Sequence, residues 1–196
     1  DWFPYRIYKV SGDLRWADGQ LSIQDLSAQH GKTRLRANLT ADLTQQPRWR
    51  LQITDQAEDG MRTDEDFLSA LPLRQAEVLR QRNVDGTFSV AGALHLTRPG
   101  VGLPVTSGWD LLLNAEEAGW SAGLPIQHAF GQARLRGHYD GKQFWSRGTL
   151  AMDSLICRNL QVTRLRGPLW IDSERLLLGD RVPRDSTPDG PKPLVA

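Results

Sequence analysis

The chain has 196 residues, of which 39% are hydrophobic and 24% are charged. This composition is typical of a folded domain with a real core and argues against wholesale disorder. The formal net charge is only +1, so no global field attracts nucleic acid or an anionic membrane. The single cysteine, Cys157, excludes an internal disulfide framework and a cysteine-based zinc site.

Targeting signals are not recognisable in the sequence. No stretch approaches the ~18–20 apolar residues that span a bilayer, and no signal peptide is found. The chain begins at Asp1, in a segment that already has a strand pattern. We therefore expect it to be a piece of a longer protein, or a processed product, whose targeting segments lie outside it.

Alternating apolar and polar residues dominate the chain and predict β-strands. The tripeptide Arg-Leu-Arg occurs in three such runs, and its three copies begin at Arg34, Arg134 and Arg164. Asp18-Gly19 and Asp140-Gly141 are predicted hairpin turns, because the central residues of a type I′ turn need a positive φ. The runs predict roughly ten to twelve strands, paired mainly with sequence neighbours in an antiparallel meander.

One segment, residues 63–83, has helix signals instead. Thr63 or Asp64 can cap a first short helix, and Pro72 ends or kinks it. A second short helix is predicted over residues 73–82.

Three stretches interrupt the strand pattern further along the chain. Gly92 is a predicted bulge within the strand that follows the helices. Residues 98–104, rich in proline and glycine, are either a junction between two units or a long hairpin loop. Residues 181–196 are also proline-rich, and we expect a disordered tail or linker there.

No established catalytic or cofactor motif occurs in the sequence, so we predict no catalytic residue, no metal ligand, no cofactor and no enzymatic activity. His128, His138 and Asp140 share one strand parity, but their place beside a hairpin turn favours a solvated role over metal binding. Glu116-Glu117 is interpreted as a turn, and Cys157 as a small core residue. The seven tryptophans are interpreted as packing anchors, with stacking on sugars or bases as the alternative.

The order of elements carries a resemblance to a known family. A strand led by Gly12, the Asp18-Gly19 turn, a second strand and the His30-Gly31 turn lead into a third strand at Leu35. This order resembles the recurring unit of the AsmA-like, repeating β-groove family of bacterial envelope proteins. Leu71-Pro72-Leu73-Arg74 feeding into Asp85-Gly86-Thr87-Phe88 resembles the same family's helix-then-strand junction, as does the stretch from 130 to 150. The resemblance covers about residues 5–180.

The resemblance implies a mainly β fold over residues 1–180: a curved antiparallel meander sheet that forms an open apolar groove, with about two repeat units. Such a groove would bind phospholipid acyl chains and help phospholipid transport or outer-membrane biogenesis between membranes. The parent protein would lie in the periplasm, anchored in the inner membrane through a segment not in this chain. Other envelope proteins are possible partners, and nucleic acid is not.

Four runs place aliphatic residues at one strand parity, and these residues are expected to line the groove. They are Leu35, Leu39, Val90, Leu94, Leu111, Leu113 and Leu135. The chain offers few apolar residues for an opposing sheet, which favours an open face. The alternative is a closed β-sandwich acting as a carbohydrate- or protein-binding module of a secreted protein, since it has the same alternation and turns.

Overall fold

The computed structural model describes residues 6–44, 49–57, 60–70, 73–121, 125–173 and 175–182. In these residues the chain is mainly β and antiparallel, as predicted, with little helix. The strands are β1 (Tyr8–Ala17), β2 (Gln20–His30), β3 (Thr33–Asp42), β4 (Trp49–Ala57), β5 (Met61–Arg62), β6 (Asp85–Arg98), β7 (Thr106–Ser121), β8 (Pro125–Tyr139), β9 (Phe144–Cys157), β10 (Leu160–Asp172) and β11 (Leu176–Leu178). The α-helices are α1 (Glu65–Ala70) and α2 (Leu73–Gln81), and a 3₁₀ turn follows at Gly179–Arg181.

The strands pair in sequence order, which confirms the predicted meander. The order is β1-β2-β3-β4-β6-β7-β8-β9-β10-β11, and β5 pairs with the side of β6. β4 therefore joins a three-stranded part, β1–β3, to a seven-stranded part, β5–β11. Residues 99–105 form the loop of the β6–β7 hairpin, closed by the pairing of Thr97 with Thr106.

The register of the strands aligns one row of mostly apolar residues across the sheet. Successive partners in this row, from β1 to β11, are Leu14, Ile23, Leu39, Ile53, Leu94, Trp109, Gly137, Ser146, Ile171 and Leu176. We call the face that carries this row the apolar face. The opposite face, which carries Arg36, Asp110 and Arg134, is the polar face.

Bulges keep apolar residues on the apolar face where simple alternation would move them off it. Asp25 in β2 has a φ of 50°, and the register with β3 shifts between Ile23 and Leu26. Glu117 in β7 has a φ of 59°, and the register with β8 shifts between Ala115 and Ala118. Each bulge contains one extra residue, which shifts the alternation by one position. The apolar residues beyond the bulge therefore stay on the apolar face. The prediction of a turn at Glu116-Glu117 is therefore wrong, because this pair lies at a bulge inside β7.

Gly92 is not a bulge, contrary to the prediction. It pairs with Leu111 in β7 and with Asp55 in β4, without any shift of the register at that point. A Cβ atom at this position would overlap the carbonyl oxygen of Asp110. The glycine is needed for the close approach of two backbones.

The two Asp-Gly turns differ from each other. Asp18 and Gly19, with φ values of 50° and 76°, form the predicted two-residue link between β1 and β2. The link between β8 and β9 is longer and covers residues 140–143. Within it the Asp140 carboxylate accepts hydrogen bonds from the backbone N–H groups of Lys142 (2.8 Å) and Gln143 (2.9 Å), as aspartate commonly does in turns.

The helices lie within the predicted helical segment, at the end of the sheet that holds the β2–β3 turn. Asp64 caps α1, since its Oδ1 accepts the N–H of Phe67 at 2.9 Å. Arg80 of α2 donates to Glu65 of α1 at 2.8 Å, which ties the two helices together. His30, at the end of β2, lies 3.8 Å from the Asp66 carboxylate and connects the helices to the sheet.

A cluster of buried apolar residues lies in the second half of the sheet: Ala118, Ala129, Met152 and Leu155, with Cys157 packed against them. Other buried apolar residues, such as Ala28 on β2 and Leu68 on α1, lie outside this cluster. No large side chain in the described residues is fully buried. Most of the predicted tail, from residue 183 onward, lies outside the described residues, as do Leu71 and Pro72.

Candidate functional site

All seven residues predicted to line a groove lie on the apolar face. Val90 pairs with Leu113, and Leu111 pairs with Leu135, so these four form one patch on β6, β7 and β8. Leu94 lies on the same face in β6, opposite Trp109. Leu35 and Leu39 lie on β3, separated from the other five residues by β4. Leu135 is buried and the other six are half-buried.

The apolar face also includes residues near both edges of the sheet that the sequence analysis did not assign to it. On β1, Leu14 is 64% exposed and Trp16 is 57% exposed. On β10, Leu160 is 70% exposed, and Val162 and Leu165 are exposed as well. The β10 residues change parity at Arg164, whose φ is 53°, so simple alternation could not place them on one face.

Trp109 covers a glycine at the centre of the apolar face. A Cβ atom on Gly137 would overlap the indole of Trp109, so the ring lies flat over that position in β8. The indole Nε1–H reaches across to β9 and donates to the hydroxyl of Ser146 at 3.1 Å. Trp109 is thus a packing residue, as interpreted from the sequence, whereas Trp16 on the same face is mostly in solvent.

An ion-pair cluster marks the polar face. The Asp110 carboxylate accepts a hydrogen bond from Nη2 of Arg136 at 2.7 Å and one from Nε of Arg134 at 3.4 Å. The bond from Arg136, helped by Arg134, holds the pKa of Asp110 below its usual range, although partial burial acts in the opposite direction. An aromatic pair, Trp145 and Trp170, also lies on this face, with parallel rings 5.7 Å apart.

A cavity lined by described residues lies on the polar face. It has a volume of about 980 Å³ and spans residues of β2, β3, β6, β7 and β8. We call it the polar-face cavity. Its lining includes Arg36, Ala91, Asp110, Leu112 and Arg134. The sequence did not point to it, because its residues are far apart in the chain.

The histidines and carboxylates weighed as metal ligands are not brought together. Asp140 bonds its own turn, which lowers the pKa of its carboxyl group, the N–H of Gln143 being the largest cause. His128 lies 3.3 Å from the carboxylate of Glu117, at the paired bulges of β7 and β8. No group of three or more His, Cys, Asp or Glu residues in the described part of the chain could hold a metal ion.

Within the described residues, neither helix is long and apolar enough to cross a bilayer. No protein-family model matches the sequence, and neither a curated protein nor a solved structure matches it.

Proposed function

We propose that the apolar face of this sheet binds lipid acyl chains as an open groove. The observation that supports this most is the row of mostly apolar residues that crosses the sheet from β1 to β11, together with the exposed Leu14, Trp16 and Leu160 on the same face. Exposed apolar side chains gathered on one face of a sheet typically mark a binding surface.

Acyl chains fit this surface because their binding needs area rather than precise geometry. Each methylene moved from water to an apolar surface contributes about 0.8 kcal/mol, without directional requirements. The half-buried side chains of Val90, Leu94, Leu111 and Leu113 offer such a surface, and nothing polar interrupts this patch.

The wider role follows from the resemblance to AsmA-like proteins. We assign the chain to an envelope protein of the periplasm that helps phospholipid transport or outer-membrane biogenesis between two membranes. Anchoring in the inner membrane would come from a segment outside this chain, and other envelope proteins would be partners.

Aspartate placed on the apolar face tests the proposal. In an open groove the new carboxylate of Leu94→Asp or Leu113→Asp reaches water, so the protein stays folded. Capture of a photo-crosslinkable phospholipid should then fall to background in both variants, because a bound acyl chain would remove water from the new carboxylate. The matched control is Gln132→Asp, which adds the same charge to an exposed position on the polar face of β8.

The same variants separate the groove from a sealed β-sandwich. In a sandwich both leucines would be core residues, and a buried unpaired carboxylate would cost several kcal/mol. Insoluble Leu94→Asp and Leu113→Asp proteins, together with a wild type that captures no phospholipid, would favour the sandwich. Folded variants that still capture phospholipid at the wild-type level would exclude the apolar face as the binding surface.

A further inference from the structure

The polar-face cavity is built from two neighbouring rows of cross-strand partners. One row contains Arg36, Ala91, Leu112 and Arg134, and the next contains Asn38, Ala93 and Asp110. The small side chains of Ala91 and Ala93 leave space above β6, and longer side chains stand on both sides of that space. The cavity therefore forms where the register of the sheet places two alanines beside longer side chains of other strands.

The chemistry of the cavity is amphiphilic. Its floor is apolar, formed by the alanines and by Leu112. Arg134 stands at one end, beside the Asp110–Arg136 pair. Because one carboxylate lies between two guanidinium groups, this cluster keeps a net positive charge. Arg36 and Asp25, which carry opposite charges, lie at the other end.

We propose that the polar-face cavity binds a small anionic amphiphile, with its phosphate or carboxylate group at Arg134 and its apolar part over Leu112, Ala93 and Ala91. Guanidinium groups bind such oxyanions through two parallel hydrogen bonds. Asp110 acts as a positioning residue, since it contacts Nε of Arg134 and orients the guanidinium group. This site is independent of the acyl-chain surface, because it lies on the opposite face of the sheet.

Hexyl phosphate is a suitable probe, with inorganic phosphate and hexanol as its two halves. We expect saturable binding of hexyl phosphate in calorimetry, at least tenfold tighter than that of either half alone. Arg134→Gln should weaken this binding about tenfold or more, because a hydrogen bond to a charged group is lost. Ala91→Leu should weaken it as well, by filling the floor without changing any charge. The control, Arg166→Gln, removes a polar-face arginine of β10 that does not line the cavity.

Two results would overturn the proposal: no saturable binding of hexyl phosphate to the folded protein, or an equal loss in Arg134→Gln and Arg166→Gln. Vesicles of phosphatidylcholine with and without phosphatidic acid identify the source of the anion. Binding to phosphatidic acid vesicles that Arg134→Gln abolishes points to a lipid headgroup. Binding of hexyl phosphate without binding to vesicles points to a free phosphate ester. Neither result depends on the apolar face, so Leu94→Asp should bind hexyl phosphate as the wild type does.

Discussion

Gly137 lacks a side chain because the indole of Trp109 occupies the space above it. The pairing of these two residues combines a backbone requirement with a packing contact, and the hydrogen bond to Ser146 fixes the ring orientation. Ser146 is only 3% exposed. Its hydroxyl accepts the indole N–H and itself donates to the carbonyl oxygen of Arg136 at 3.4 Å, so both buried polar groups are satisfied.

Gly137→Ala should lower the free energy of unfolding by about 1–3 kcal/mol, because the added methyl group displaces the Trp109 ring. The cost should largely disappear in a Trp109→Ala background, and urea denaturation of the four proteins measures this coupling. Gly108→Ala serves as control, since a Cβ there meets no atom closer than 3.8 Å. Equal costs in both backgrounds would show that Trp109 is not the obstacle.

Asp110→Asn should reduce stability at about pH 7 by at most about 1 kcal/mol, the usual range for an exposed ion pair. The folded-state pKa of Asp110 lies below the ordinary value, so its contribution is present above the unfolded-state pKa, near 3.9. That contribution is lost as the pH falls through the lowered folded-state pKa. Urea denaturation near neutrality and in acid should therefore show the two proteins converging at low pH. A difference that persists in acid would mean that Asp110 acts through something other than its charge.

The hairpins illustrate how an element can form without its usual sequence signal. β9 and β10 are joined by Arg158 and Asn159, whose φ values are 47° and 65°. A two-residue type I′ turn needs a positive φ at both central residues, which Asn-Gly or Asp-Gly usually supplies. The Arg-Asn pair found here is not one of these usual pairs. The strands on either side, with Met152 and Leu155 packed in the core, hold the turn in place.

Replacing this pair with the favoured residues, in Arg158→Asn/Asn159→Gly, should raise the free energy of unfolding by up to about 1 kcal/mol. The reason is that glycine and asparagine reach the left-handed region at lower cost than arginine. Thermal and urea denaturation measure the gain. A loss of stability would show that the Arg158 side chain makes a contribution larger than the backbone strain.

The sheet as a whole depends on neighbour-to-neighbour pairing, because its strands follow one another in sequence order. Burial is uneven along it. All side chains of β1 are exposed, whereas the core residues Ala118, Ala129, Met152 and Leu155 lie on β7, β8 and β9. Sheets of this type unfold in parts when one end is less buried than the other.

Amide hydrogen exchange should therefore be slowest in β7, β8 and β9 and fastest in β1. Met152→Ala removes a core side chain and should destabilise its surroundings by about 2–5 kcal/mol. Exchange in β7–β10 should accelerate, while β1–β3 should exchange as in the wild type. Equal acceleration throughout the described strands would indicate a single cooperative unit instead.

Strand alternation was enough to predict a mainly β antiparallel meander and the shared face of Leu35, Leu94 and Leu135, and capping and proline signals were enough to predict the two short helices. These features depend on local periodicity, capping and turn residues, which the sequence displays directly. The same periodicity failed at Glu117 and Arg164, because a bulge with positive φ changes the parity of every residue beyond it. The prediction of a bulge at Gly92 also failed. There the backbone of Asp110 and Leu111, which lies far along the chain, leaves no room for a side chain.

The polar-face cavity could be found only from the tertiary structure. Arg36, Ala91 and Arg134 come from β3, β6 and β8, and only the register of the intervening strands aligns them in one row. Local patterns determine which face a residue occupies, because that depends on alternation within a strand. Which residues become neighbours on that face depends on pairing between strands, and this is decided when the whole sheet assembles.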